Sequence, residues 1–112
     1  MKRHFNFLML LLFLVACKPK IKNAPAPKNV IPEQEMIEVL KDLHLAEGAI
    51  MRQSLVGDTL KKVYKNYYSK VFAIHHVNTI QFQQSMTYYT SQPATIEKIY
   101  NKVINELNEA DN

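Results

Sequence analysis

Apolar and polar positions along the chain follow three successive patterns. Phe5 to Ala16 is almost wholly apolar, broken by Asn6 and preceded by Lys2, Arg3 and His4. From Lys18 to Asn29 apolar residues are sparse, and Pro19, Pro25 and Pro27 interrupt the run. From Val30 onward apolar residues recur every three or four positions, the period of an amphipathic helix, and no period-2 alternation marks a strand.

The last region predicts four helices. Ile31-Pro32 opens the first, with proline suited to the first helical position and Glu33 and Glu35 complementing the positive end of the dipole. Met36, Ile37, Leu40, Leu43, Ile50, Met51 and Leu55 form its stripe, and Gly57 is placed for a left-handed stop. Asp58 then reads as the N-cap of a second helix carrying Leu60, Val63, Tyr64, Tyr67, Val71 and Phe72. A break falls near His75-His76. Asn78 reads as the next N-cap, Gln81 stands three residues on, and Val77 and Phe82 are spaced for a hydrophobic staple. The third helix buries Phe82, Met86 and Tyr89. Gln92-Pro93 starts the fourth, whose stripe is Ile96, Ile99, Tyr100, Val103, Ile104 and Leu107. The expected fold is all-α, a small bundle of about four amphipathic helices joined by short loops.

The amino-terminal third reads as targeting. A charged start and an apolar run of about a dozen residues are too short for a spanning helix, which needs about 20. The run ends at Leu14-Val15-Ala16-Cys17, which resembles the lipobox of bacterial lipoproteins: a small residue, then the cysteine that takes lipid. The chain has one cysteine, and it falls at that position. The expected organisation is a lipoprotein signal peptide over 1–16, a lipidated Cys17 and flexible tether over 17–30, and a helical domain over 31–112. Acyl chains contribute about 0.8 kcal/mol per buried methylene, so several of them anchor firmly. At about 3.1 Å per residue in extended form, the proline-bearing tether holds the domain up to about 40 Å from the bilayer.

Composition changes this picture in two ways. The formal charge of +4 belongs to the leader and tether: without Lys2 and Arg3 there are 12 basic and 10 acidic residues, and Lys18, Lys20, Lys22 and Lys28 lie in the tether. From Val30 onward 8 basic residues face 10 acidic ones, which argues against a nucleic-acid partner. The tether lysines sit where anionic headgroups attract them. Two glycines leave no room for a glycine-rich phosphate loop, and one cysteine excludes an internal disulfide or a multi-cysteine metal site. A bundle this small fills its interior with side chains and rarely encloses a pocket of about 300 Å³ or more, which weighs against an enzyme.

A family resemblance covers about Val30 to Leu107. It is carried by Ile31-Pro32-Glu33 through Met36, by Asp42-Leu43-His44-Leu45-Ala46-Glu47, and by Val71-Phe72, His75, Phe82, Ser85, Tyr88-Tyr89, Gln92-Pro93 and Ile99-Tyr100. These residues resemble the domain-of-unknown-function family 4296, found chiefly in lipoproteins of the Bacteroidota. The resemblance implies a small helical lipoprotein and supplies no activity. Surface-exported lipoproteins of that phylum often carry acidic residues directly after the cysteine; this tether has none, which implies the periplasmic side. Two positions depart from the pattern. His76 stands where the family usually has glycine, so a left-handed backbone there would cost histidine more. Ile80 replaces a residue that is charged in many relatives, so it reads as an exposed apolar contact.

Candidate chemistry is sparse. His44 and Glu47 lie three residues apart on one helix face. They read either as two metal ligands or a base with its orienting carboxylate, or as a buried hydrogen-bonded pair that fixes helix register, joined by a tyrosine hydroxyl. A metal site needs three or four ligands, and the spacing shows no second His/Glu pair. His75 and His76 would diverge by about 100° on a helix. Tyr64, Tyr67, Tyr68, Tyr88, Tyr89 and Tyr100 read either as the lining of a groove for a peptide, glycan or lipid, or as the rim of the core. Ser85 lacks a diagnostic His and Asp. No catalytic residue, cofactor site or metal site is expected, and the covalent lipid on Cys17 is the one added group. The expected function is a non-catalytic interaction or assembly module of the cell envelope, with the membrane and an envelope protein as partners. The alternatives are a carrier or sensor of a small apolar ligand and a metal-dependent activity at His44 and Glu47.

Overall fold

A computed structural model describes residues 25–110. The signal peptide, the lipobox, Cys17 and the tether as far as residue 24 lie outside the described residues. Among the described residues the chain forms four helices and no strand: α1 (Glu33–Met51), α2 (Gly57–Ile74), α3 (Thr79–Thr90) and α4 (Pro93–Ala110). The all-α expectation is met, with all four helices in their expected order.

The core is organised around α1, which packs against α2 and α4, while α3 packs against α4. Met36, Ile37, Val39, Leu40, Leu43, Ala46 and Ile50 are buried on α1. At 100° per residue these positions span about half the helix circumference, wider than the stripe of a helix lying on a surface. That width follows from having a neighbour on each side. The other helices contribute less: Val71 and Phe72 from the end of α2, Ser85 and Tyr89 from α3, Ile99 and Val103 from α4. The packed region therefore lies toward the last turns of α2. The earlier stripe residues Leu60, Val63, Tyr64 and Tyr67 are only half-buried, as is Tyr68 beside them.

The segment entering α1 is held by side chains from α3. Ile31 is fully buried. Its N–H donates to Ser85 Oγ at 2.8 Å, and its carbonyl accepts from the Tyr89 hydroxyl at 2.7 Å. Ser85 Oγ in turn donates to the Gln81 carbonyl at 2.7 Å. Both backbone groups of a residue outside any helix are thereby satisfied away from water, where an orphan group would cost about 1–3 kcal/mol. Pro32 then serves as the N-cap, not the first helical residue, and its carbonyl accepts the first helical bond from Met36 at 2.8 Å.

Two helix boundaries differ from expectation. α1 ends at Met51, not near Gly57, because Ile50 is its last buried residue and beyond it the helix has no core to cover. Ser54 rather than Gly57 makes the first left-handed turn, with φ 49°. Gly57, with φ 62°, opens α2 behind the N-cap Val56, which offers no side-chain oxygen. Asp58 is therefore a first-turn residue beside Lys61, at 3.6 Å, rather than a cap. Met51 and Ile104, both expected in apolar stripes, are 77% and 52% exposed. Met51 has passed the end of the core. Ile104 stands one residue, about 100°, beyond the buried Val103.

The turn between α2 and α3 follows its sequence closely. His76 N–H bonds to the Ala73 carbonyl and Val77 N–H to the Phe72 carbonyl, the two bonds of a Schellman motif. His76 occupies its left-handed position with φ 55°, and the buried Val77 and Phe72 belong to one apolar cluster. Asn78 caps α3 by accepting from Gln81 N–H at 2.8 Å. Left-handed conformation costs an L-residue about 1–2 kcal/mol, a cost that glycine at position 76 would not carry.

Two substitutions test this account in opposite directions. His76→Gly relieves the left-handed strain at an exposed position and raises stability by about 0.5–1 kcal/mol, after the added freedom of glycine in the unfolded chain. Ser85→Ala leaves the Ile31 N–H without an acceptor and lowers stability by about 1–3 kcal/mol. Urea unfolding followed by circular dichroism measures both; equal midpoints for the two variants would contradict these assignments.

Candidate functional site

α1 and α2 run antiparallel, so residues near the end of one meet residues near the start of the other. Two polar contacts result. The His75 Nε2 lies 2.7 Å from Asp42 Oδ2, and the Tyr68 hydroxyl donates to the Glu47 carboxylate. Glu47 also lies 3.4 Å from His44 Nδ1, and the His44 ring stands 6.3 Å from that of Tyr100 on α4. His44 and Glu47 thus form a chain from α2 through α1 to α4, joined by the tyrosine hydroxyl that sequence reasoning anticipated.

Its setting is not the buried one. The side chains of His44 and Glu47 are 41% and 34% exposed. A pair this open contributes at most about 1 kcal/mol. The better sheltered histidine is His75, whose side chain is 15% exposed against Asp42. Helical spacing could not pair these two, which are 33 residues apart; their only prior signal was that both belong to the family pattern. Among the described residues no group of three or more His, Cys, Asp or Glu side chains is arranged to hold a metal ion.

The six tyrosines do not share one surface. Tyr89 is buried at 5% exposure and belongs to the core through its bond to Ile31. Tyr67 packs beside the Lys70 ammonium, at 5.9 Å. Tyr88 borders an open groove of about 610 Å³ on the outer side of α3, shared with Pro25, Pro27 and the exposed Ile80. Tyr64 and Tyr68 border a second open groove of about 570 Å³ with Lys65, Ser69, Phe72 and Thr79.

The second groove is backed by a run of rings. Tyr64, Tyr68, Phe72 and Phe82 stand at successive centroid distances of 6.3, 6.1 and 5.0 Å, within the range of favourable edge and tilted contacts. Tyr68 is fixed twice, by its neighbouring rings and by Glu47. Burial, then the hydrogen bond to the Glu47 carboxylate, pushes its phenol up to about 12. Burial likewise raises Tyr89. The hydroxyl of Ser85 is fully buried and engaged at both its donor and acceptor positions, so it is structural. What the arrangement offers is a rigid aromatic surface with one cation, Lys65, at its edge.

The Tyr68 phenol gives a pH prediction with a definite sign. Its protonated form is favoured by folding, so its contribution is fully present below the ordinary pKa of about 10 and is lost as pH rises toward 12. Unfolding midpoints measured across that window should fall more steeply for the native chain than for Tyr68→Phe. A parallel fall in both would place the loss elsewhere, for example at the lysines.

No curated protein and no solved structure matches the chain. The family model described as "Domain of unknown function (DUF4296)" matches residues 27–112. The match runs from the proline-bearing entry segment through all four helices, and so takes in the Ile31 clasp, the Asp42–His75 contact and the aromatic groove. The chain belongs to the domain-of-unknown-function family 4296.

Proposed function

We propose that this chain is a lipid-anchored, periplasm-facing protein that binds a partner of the cell envelope and carries out no chemistry on it. The anchor rests on the amino-terminal pattern: a basic start, a short apolar run, and the single cysteine directly after Leu14-Val15-Ala16. No described helix is long and apolar enough to cross a membrane. Attachment at Cys17 supplies a membrane link without one.

The observation that carries the binding role is the groove beside Tyr64, Tyr68 and Phe72. Its aromatic side chains are held in place before any partner arrives, by ring contacts and by Glu47. Pre-fixed side chains lose less freedom on association, and aromatic residues dominate the energetic centres of interfaces. The polar groups nearby are occupied with one another: Tyr68 and His44 with Glu47, and His75 with Asp42. A small apolar ligand is the second reading. It is favoured by the groove's volume, which falls in the usual range for such ligands.

Photo-cross-linking in intact cells from a probe at Ser69, on the groove rim, distinguishes these readings. One dominant protein adduct, lost when Tyr64→Ala is added, is the expected result. Scattered adducts insensitive to Tyr64→Ala would overturn the protein-binding reading. A small-molecule adduct would replace it with the second. In the same cells Cys17→Ser should move the chain out of the membrane fraction, and full retention would refute the anchor.

A further inference from the structure

The turn between α1 and α2 is the part of the fold that the core does not use. Among the described residues, Met51 and Val56 are the most exposed large apolar side chains, at 77% and 80%. Leu55 between them is half-buried. Left-handed backbone at Ser54 and Gly57 makes a tight reversal that leaves Val56 in solvent.

Charge around this tip is one-sided. Arg52, Lys61, Lys62 and Lys65 are all exposed. Asp58 is the one acidic residue from Arg52 to Lys70, and it lies beside Lys61. That stretch holds five of the eight cations and one of the ten anions found from Val30 onward. The rest of the domain is correspondingly acidic. Exposed lysines alone are ordinary, and so are single exposed apolar residues. The combination of two apolar side chains on a projecting turn, with a basic collar, in an otherwise acidic domain is not. Apolar residues with flanking cations match the boundary between headgroups and acyl chains of an anionic bilayer.

The geometry allows it. The tip lies at the far end of α1 from Ile31, about 28 Å away for 19 residues at a rise of about 1.5 Å. Val30 N–H bonds to the Pro27 carbonyl in a turn, and the stretch from Cys17 to Pro27 reaches about 30 Å when extended. The same bilayer can therefore hold both the anchor and the tip.

We propose that the α1–α2 tip is a second membrane contact. Met51 and Val56 enter the headgroup layer of a bilayer rich in anionic phospholipid, and Arg52, Lys61, Lys62 and Lys65 face its phosphates. This reading goes beyond the partner-binding one, and Lys65 is the residue that the tip shares with the edge of the aromatic groove.

The test uses the mature chain carrying Cys17→Ser, so that acylation does not contribute. It is sedimented with vesicles of phosphatidylglycerol and phosphatidylcholine, and with vesicles of phosphatidylcholine alone. The chain should bind the anionic vesicles, more weakly as salt rises, and leave the neutral ones unbound. Met51→Ser with Val56→Ser, and separately Lys61→Glu with Lys62→Glu, should each weaken binding about tenfold or more. These side chains are exposed, so thermal melts of both variants should match the parent and exclude misfolding. A third variant, Lys18→Gln with Lys20→Gln and Lys22→Gln, isolates the tether. The proposal is overturned if the tip variants bind as the parent does and only the tether variant loses binding, or if neutral and anionic vesicles bind equally. Absence of vesicle binding, with a cross-linked acidic protein that is lost in the Lys61→Glu, Lys62→Glu variant, would assign the tip to a protein instead.

Discussion

The architecture depends on the burial of one non-helical residue. Ile31 carries both an apolar side chain and two backbone groups into the core, and those groups have no helical partners. Only side chains can satisfy them, and α3 supplies both: a serine that accepts and a tyrosine that donates. Ser85 and Tyr89 are four residues apart, so one face of one helix reaches both sides of the same peptide segment. This fixes where α1 begins relative to α3. It also determines which face of α1 turns toward α2 and α4, and with it every contact further along.

From that starting point polar pairs tie α1 to its neighbours on both sides. Lys98 of α4 lies 2.5 Å from Glu33, and Lys41 bridges Glu38 and Glu106. On the other side Asp42 meets His75 and Glu47 meets Tyr68. None of these contacts is deeply buried, so each adds little to stability. Their value lies in register. Asp42–His75 and Glu47–Tyr68 are satisfied together in one alignment of α2 along α1. The aromatic groove is a product of that alignment, since Tyr68 is aimed by Glu47.

The helices themselves were legible because their signals are local. The repeating apolar spacing, Asn78 as a cap, Pro93 at a helix start and a special backbone at His76 all act within a few residues. What escaped the sequence depends on distance. The end of α1 is set by where its neighbours stop, so Met51 continued a stripe that had nothing left to cover. Asp42 and His75 are separated by a whole helical hairpin. Ser85 offered no catalytic spacing and gave no hint that its role was to hold Ile31. The tyrosines looked alike in sequence, yet one became core, two became a groove wall, and the others dispersed. His44 and Glu47 found their tyrosine, but near solvent, because α2 is deeply packed only in its last turn, at Val71 and Phe72.

The Ile31 clasp also has a mechanical meaning. Any pull on the segment before residue 25 passes through the Pro27–Val30 turn to the buried Ile31. There the load passes through two hydrogen bonds into α3, and from α3 into its packing on α4. α1 is thus not the first element to be stripped from the bundle, although it comes first in the chain. Tension along the tether is met by the middle of the sequence.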